Sequence, residues 1–274
     1  MNTIHFNCHD GILNHGGNVI RCGIDNFDDS IAKIKLRQLL IVTGKPDMGQ
    51  TAFSITAMCN MALNDHITVA IFSLEMSNVQ VAQRIIMNTL KVRFPIEQSN
   101  DTELKELTSQ IFNKLSGVPI YLDDTAPASI DEIINKIQEL KTINDVKVFF
   151  IDYINLIIGF PEKKLEIMRR LKDTASRLHV SIVANCGLSK GQDIAIPSNS
   201  KSSLASCITE VLTVDCFEIA DNVCLLNRPG YYNQNQPKDI VEMYIMDNGC
   251  KTIDKLCFTF YPEYAQIIER KGET

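Results

Sequence analysis

Two kinds of hydrophobic pattern alternate along this chain. Leu39-Leu40-Ile41-Val42-Thr43 is a continuous apolar run closed by a glycine, and Thr68-Val69-Ala70-Ile71-Phe72-Ser73-Leu74 is a second such run. Short unbroken runs of this kind predict strands buried on both faces. Further strands are predicted at 119–122, 146–151 and 180–184. Between them the apolar residues are spaced for helices. These fall at 51–64 (with Phe53, Ile55, Ala57, Met58 and Met61 packing inward), 78–91, 101–116, from Ser129 to about Lys141, and 163–179. Ser77 and Ser129 stand where N-caps belong. Strands alternating with helices predict parallel βαβ units, hence an α/β fold whose twisted, mostly parallel sheet carries helices on both faces. After residue 221 the pattern changes. Residues 223–226, 240–246 and 256–260 look like strands joined by turns, which predicts an antiparallel edge at the C-terminal end.

This organises the chain as an N-terminal polar arm over 1–38, an α/β domain over 39–264 and a tail over 265–274. The arm holds Gly16-Gly17 and a turn at Gly23-Ile24-Asp25-Asn26-Phe27-Asp28. Residues 187–215, rich in Ser, Asn and Gly, are expected to form a long loop, and long loops in compact domains are often functional.

Composition narrows the chemistry. The 274 residues are 45% hydrophobic and 22% charged, enough to fill a core and exclude disorder as the main state. The net charge of −6 lacks the basic footprint of a nucleic-acid binder, so any such contact must be local. The 9 cysteines are scattered without a C-x-x-C, which fits a reducing, cytoplasmic setting. No apolar run reaches membrane-spanning length, and Met1-Asn2-Thr3-Ile4-His5 does not open a signal peptide. His5, Cys8, His9 and His15 match no standard zinc spacing. With 5 histidines spread along the chain, no hydrolase triad can be built.

The chemistry gathers at the end of the first core strand. Gly44-Lys45-Pro46-Asp47-Met48-Gly49-Gln50-Thr51 lies between a strand and a helix, where a phosphate-binding loop belongs. Its glycines let backbone N–H groups approach phosphate oxygens, and the helix N-terminus adds partial positive charge. Thr51 would hold Mg²⁺ through its hydroxyl. The lysine of the pattern G-x-x-x-x-G-K-[ST] is Gln50, which donates a hydrogen bond but carries no charge. Losing one preorganised donor typically costs about 3–4 kcal/mol in a transition state. Two acids end other strands: Asp152, read as the magnesium-associated carboxylate, and Glu75, placed to activate water. In open α/β sheets ligands bind at the carboxyl ends of strands, so these groups are expected to share one crevice with the loop.

Several collinear blocks resemble one family. Lys45-Pro46-Asp47-Met48-Gly49-Gln50-Thr51-Ala52-Phe53 resembles R-P-S-M-G-K-T-A-F, and Phe72-Ser73-Leu74-Glu75-Met76-Ser77, followed by Gln83-Arg84, matches F-S-L-E-M-S. Tyr121-Leu122-Asp123-Asp124-Thr125 is similar to I-D-D-T, Ile151-Asp152-Tyr153-Ile154-Asn155-Leu156-Ile157 to I-D-Y-L-Q-L-I, Arg228-Pro229-Gly230-Tyr231-Tyr232 to R-x-E-Y-Y, and Phe260-Tyr261-Pro262-Glu263-Tyr264 to F-x-P-E-Y. Over about residues 20–265 the chain resembles the C-terminal ATPase domain of DnaB-type replicative DNA helicases. The resemblance implies a RecA-like P-loop NTPase fold, Mg-ATP as ligand, Thr51 and Asp152 serving Mg²⁺, and Glu75 as the catalytic acid. It also implies a homo-oligomeric ring, or a helicase partner, acting on single-stranded DNA.

The departures concentrate on chemistry. Besides Gln50, the family's γ-phosphate-sensing glutamine in A-L-S-Q-L is Gly187. The basic fingers of K-Q-R-N-G are replaced in Ile245-Met246-Asp247-Asn248-Gly249. The stretch 208–214 lacks the family's S-D-L-R-E-S-G pattern. Lys163, Lys164, Arg169 and Arg170 form a local basic cluster, yet the DNA-binding residues stay unassigned. The reading that follows is a hydrolysis-impaired DnaB-like domain acting in DNA replication by nucleotide binding or assembly. Its alternatives are an active helicase with compensated motifs and a protein-interaction module that no longer binds nucleotide.

Overall fold

A computed structural model describes residues 18–93, 101–188, 219–232, 235–247 and 252–270. A short helix α1 (Asp25–Asp29) leads into β1 (Leu39–Gly44), α2 (Gln50–Asn64), β2 (Val69–Ser73), α3 (Asn78–Leu90) and α4 (Asp101–Leu115). Then come β3 (Ile120–Asp123), α5 (Ile130–Asn144), β4 (Val148–Asp152), α6 (Phe160–Leu178) and β5 (Ser181–Gly187). The described C-terminal part holds β6 (Asn222–Asn227), the single turn α7 (Pro229–Tyr232), β7 (Ile240–Asp247), β8 (Thr252–Tyr261) and β9 (Gln266–Glu269).

Among the described residues the strands make one sheet in the order β3-β2-β4-β5-β1-β6-β7-β8-β9. Pairing is parallel from β3 through β6 and antiparallel from β6 to β9. The expected α/β architecture with an antiparallel C-terminal edge is therefore present. Alternate strand residues serve two cores. Leu40, Val42, Phe150 and Val183 face α2 and α3, while Leu39, Ile41, Phe149 and Ile182 face α5 and α6. All six residues of β1 are buried, as its unbroken apolar run requires for a strand covered on both faces.

Local chemistry sets the helix ends. Ser77 and Ser129 each accept from the backbone N–H three residues on, and Gln80 and Glu132 reach back to close capping boxes. Lys91, Asp145 and His179 end α3, α5 and α6 in the left-handed conformation. The helix read at 163–179 begins earlier, at Phe160, behind Gly159 in the left-handed region with φ 78°.

Both flanks differ from the sequence reading. The described part of the polar arm is not wholly solvated: Ile20, Cys22, Ile24, Phe27, Ala32 and Ile34 enter the α2-side core. Phe27 meets Phe53 edge to face at 5.1 Å. The turn at 23–28 contains helix α1, whose buried Asp28 accepts from the N–H groups of Cys22 and Gly23. Polar residues outnumber apolar ones there, but these six apolar side chains turn inward together, leaving Val19 and Ile31 exposed. Likewise β9 lies in the segment read as tail and places Ile267 in the core, because β8 offers it a pairing edge. The histidine-cysteine arm and most of the 187–215 loop lie outside the described residues.

Candidate functional site

The site is built on the carboxyl ends of β1, β2, β4 and β5. Gly44 pairs in register with Gly187, Ser73 with Asp152, and Asp152 with Asn185. That register brings the phosphate loop, Glu75 and the Gly187 position to one cleft of about 1200 Å³, lined by Asp47, Gln50, Thr51, Glu75, Arg84 and Tyr153 among others, with Asp152 buried directly behind Thr51.

Gly49 caps α2 with φ 103°, a conformation that favours glycine. A Cβ on Gly44 would sit 2.8 Å from the Leu226 carbonyl oxygen and 2.9 Å from Gln50 Nε2. The loop thus keeps the two glycines that allow close backbone approach, at the N-terminus of a 15-residue helix.

Gln50 is 1% exposed. Its Nε2 donates to the Lys45 carbonyl oxygen at 3.2 Å, and its Oε1 is buried without a hydrogen-bond partner among the described residues. The glutamine therefore folds into its own loop and supplies no charge. Lys45 is not among the residues lining the cleft.

Thr51 and Asp152 are brought together as expected. Thr51 Oγ1 donates to Asp152 Oδ2 at 2.9 Å and lies 3.3 Å from the Tyr153 hydroxyl. Burial pushes the Asp152 carboxyl up to about 6, against the pull of donors on Asn185 and Thr51; Glu75 adds to the rise and Arg84 opposes it. Burial, with Asp152 nearby, pushes the Tyr153 phenol up to about 12. Glu75 is exposed on the cleft rim just past β2. Among the described residues no three His, Cys, Asp or Glu side chains converge on a point. A hydroxyl and one carboxylate nonetheless suit Mg²⁺, which keeps several waters and binds through one or two carboxylates plus phosphates. The glycine cradle and the Thr51–Asp152 pair thus fit a Mg-nucleotide, while Gln50 does not. Bound there, the cation would neutralise charge on the phosphates.

Sequence reasoning missed several site residues. Asn155 clasps Gly187, its Oδ1 accepting from the Gly187 N–H at 2.7 Å and its Nδ2 donating to the carbonyl at 3.0 Å. Arg228 reaches over from α7's approach, donating to the Asp47 carbonyl at 2.8 Å and lying 4.6 Å from the Phe260 ring centre. The Arg228 and Tyr231 block was legible as a motif, but its contact with Asp47 was not, because 181 positions separate Arg228 from Asp47 in sequence. The basic cluster on α6 is partly committed, with Arg170 pairing with Asp131. Asp247 lies in register with Asn222 at the end of β7, and residues 208–214 and Asn248-Gly249 lie outside the described residues.

A glycine-rich loop between β1 and α2, with a hydroxyl–carboxylate pair beside it on a mostly parallel sheet, is the arrangement of a P-loop NTPase-type fold. The family model described as DnaB-like helicase C terminal domain matches residues 19–269. The chain belongs to that family. It is 30% identical over 264 residues to the replicative DNA helicase DnaC of Bacillus subtilis, covering 91% of this chain and 56% of the relative. The replicative DNA helicase DnaB of Geobacillus stearothermophilus matches over the same share at 30% identity. The chain thus spans about half the length of the curated relatives it matches. In fold it is similar to a solved structure of an isolated ATPase domain, with a TM-score of 0.79 at 23% identity over 93% of both chains. It is also similar to a DnaB-like replicative helicase described with its interactions with primase (TM-score 0.78, 24% identity, 94% of this chain and 65% of that one). Among the described residues no helix is long and apolar enough to cross a membrane.

Proposed function

We propose that this chain is a DnaB-like ATPase domain that binds Mg-ATP but hydrolyses it poorly, and that it serves DNA replication through the nucleotide-bound or assembled state. One observation carries the reading. Gln50, where the phosphate-loop pattern has lysine, is buried against Lys45 of its own loop, while Thr51 and Asp152 keep a magnesium-competent geometry beside it. Phosphoryl transfer depends on positioning and on charge at the β- and γ-phosphates, so binding through backbone, helix dipole and cation survives a loss that slows turnover. Gly187 and Asp247 point the same way, since neither offers the side-chain chemistry that the resembling motifs place there. The partner is a second copy of this chain in a ring or a helicase of the same family. Single-stranded DNA is a weaker ligand on a chain of net charge −6, and the setting is cytoplasmic.

The test is calorimetric titration with Mg-ATPγS, alongside ATP turnover, for the wild type and Gln50→Lys. Binding by the wild type with turnover raised at least tenfold in Gln50→Lys supports the reading. Robust DNA-stimulated turnover by the wild type, abolished by Glu75→Gln, would establish the active-helicase alternative, which the retained Thr51, Glu75 and Asp152 favour. No binding by the wild type would leave a protein-interaction module.

A further inference from the structure

Among the described residues, three buried polar side chains on the α2 side of the sheet join Thr51 in one chain of hydrogen bonds. Ser54 Oγ donates to Asn185 Oδ1 at 3.1 Å, Asn185 Nδ2 donates to Asp152 Oδ1 at 2.7 Å, and Thr51 Oγ1 donates to Asp152 Oδ2 at 2.9 Å. Ser54, Asn185 and Asp152 are each 1% exposed. Thr51 and Ser54 stand one turn apart on α2, and Asn185 lies directly across from Asp152 in the β4–β5 register.

Asn185 is out of place by strand logic. Val183, two residues earlier on the same face of β5, is wholly buried in the apolar core. An amide at such a depth costs about 1–3 kcal/mol unless it is hydrogen-bonded, so a buried asparagine is an informative departure. Here both ends of the amide are used, and one of them is spent on the carboxylate. A single donor from Thr51 would leave the Asp152 carboxylate free to turn about its Cβ–Cγ bond. Donors on two different oxygens, from two different elements, fix its plane. They also tie it to the helix that opens with the phosphate loop.

We propose that Asn185 is a positioning residue for the divalent cation: it holds the Asp152 carboxylate, through Oδ1, in the orientation in which Asp152 and Thr51 together receive a nucleotide-borne magnesium ion. Ser54 supports it by fixing the amide. The inference rests on the reading that the cleft binds Mg-nucleotide. It concerns only how tightly the metal is held. Partners that orient metal ligands are typically worth 10–100-fold in metal affinity.

The experiment is titration of the whole chain with ATPγS, once in Mg²⁺ and once in EDTA, for the wild type, Asn185→Leu and Ser54→Ala. Leucine branches at the same carbon as asparagine and removes both polar atoms. The wild type is expected to bind more tightly with Mg²⁺ than without. Asn185→Leu should lose about tenfold of that enhancement while its EDTA affinity stays within about twofold of the wild type. Ser54→Ala should move the same way by a smaller factor, and serves should Asn185→Leu fail to fold. An undiminished Mg²⁺ enhancement in the variants overturns the proposal. So does equal weakening with and without Mg²⁺, which marks a merely structural role. A wild type that binds nucleotide with no help from Mg²⁺ overturns this inference alone, whereas a wild type that binds in neither condition overturns the nucleotide reading and this inference with it.

Discussion

The hydroxyl of Tyr231 donates to the Asp47 carboxylate at 2.9 Å, joining the turn after β6 to the middle of the phosphate loop. Arg228, 5.4 Å from the Tyr231 ring centre, donates to the carbonyl of the same Asp47. The loop that would receive phosphate is thus braced by the beginning of the antiparallel edge, and it carries a negative charge of its own. Removing that charge should help an anion bind. Asp47→Asn is expected to tighten Mg-ATPγS binding about two- to fivefold, a modest gain because the carboxylate is exposed and screened. Calorimetry at low and high salt checks it: the gain should shrink as salt rises.

Among the described residues, Gln50 leaves one buried acceptor unsatisfied and makes one hydrogen bond, of 3.2 Å. A lost hydrogen bond costs about 0.5–1.5 kcal/mol, and relieving a buried orphan returns about 1–3 kcal/mol. Gln50→Met, of similar length and no such acceptor, is therefore expected to leave stability unchanged or raise it by about 1 kcal/mol. Urea denaturation measures this, and a loss above about 2 kcal/mol would mean that the glutamine has a partner role the hydrogen bonds do not reveal.

Two glycines at paired register positions should respond oppositely. A Cβ at Gly44 meets backbone oxygen at 2.8 Å, whereas a Cβ at Gly187 finds its nearest neighbour, Asn155 Oδ1, at 3.8 Å, an ordinary contact. Gly44→Ala is expected to cost about 1–3 kcal/mol as overpacking. Gly187→Ala should be neutral or stabilising by up to about 1 kcal/mol, through lost freedom of the unfolded chain. Thermal melts of the two variants side by side decide it.

Acid should weaken one ion pair in a defined range. Burial pushes Asp123 upward, but the Lys136 ammonium and the Thr125 donors outweigh it and hold the carboxyl below its usual 3.8. A carboxyl depressed on folding stabilises above its unfolded pKa, and that stability fades as pH falls through the lower folded value. The wild type should exceed Asp123→Asn by about 0.5–1 kcal/mol at about pH 6. The difference should fade as pH falls below 3.8 and through the lower folded value. A difference independent of pH would point to shape, not charge.

Much of this protein was legible in its sequence, and the reason is local. The unbroken apolar runs specify strands covered on both faces, and Ser77 and Ser129 with Gln80 and Glu132 three residues on specify helix starts; both are properties of contiguous residues. The phosphate loop was readable for the same reason, since its glycines and Thr51 lie within eight positions. What only the tertiary structure decided depends on which strands become neighbours. The register that sets Asn185 beside Asp152, the grip of Asn155 on Gly187 and the reach of Tyr231 to Asp47 join residues 32 to 184 positions apart. No spacing encodes them. The polar arm misled for the complementary reason. Its composition is that of a solvated segment, but burial is settled by where Phe27 and Ile34 point once α2 offers a surface, and side-chain direction against a distant partner is a property of the folded chain alone.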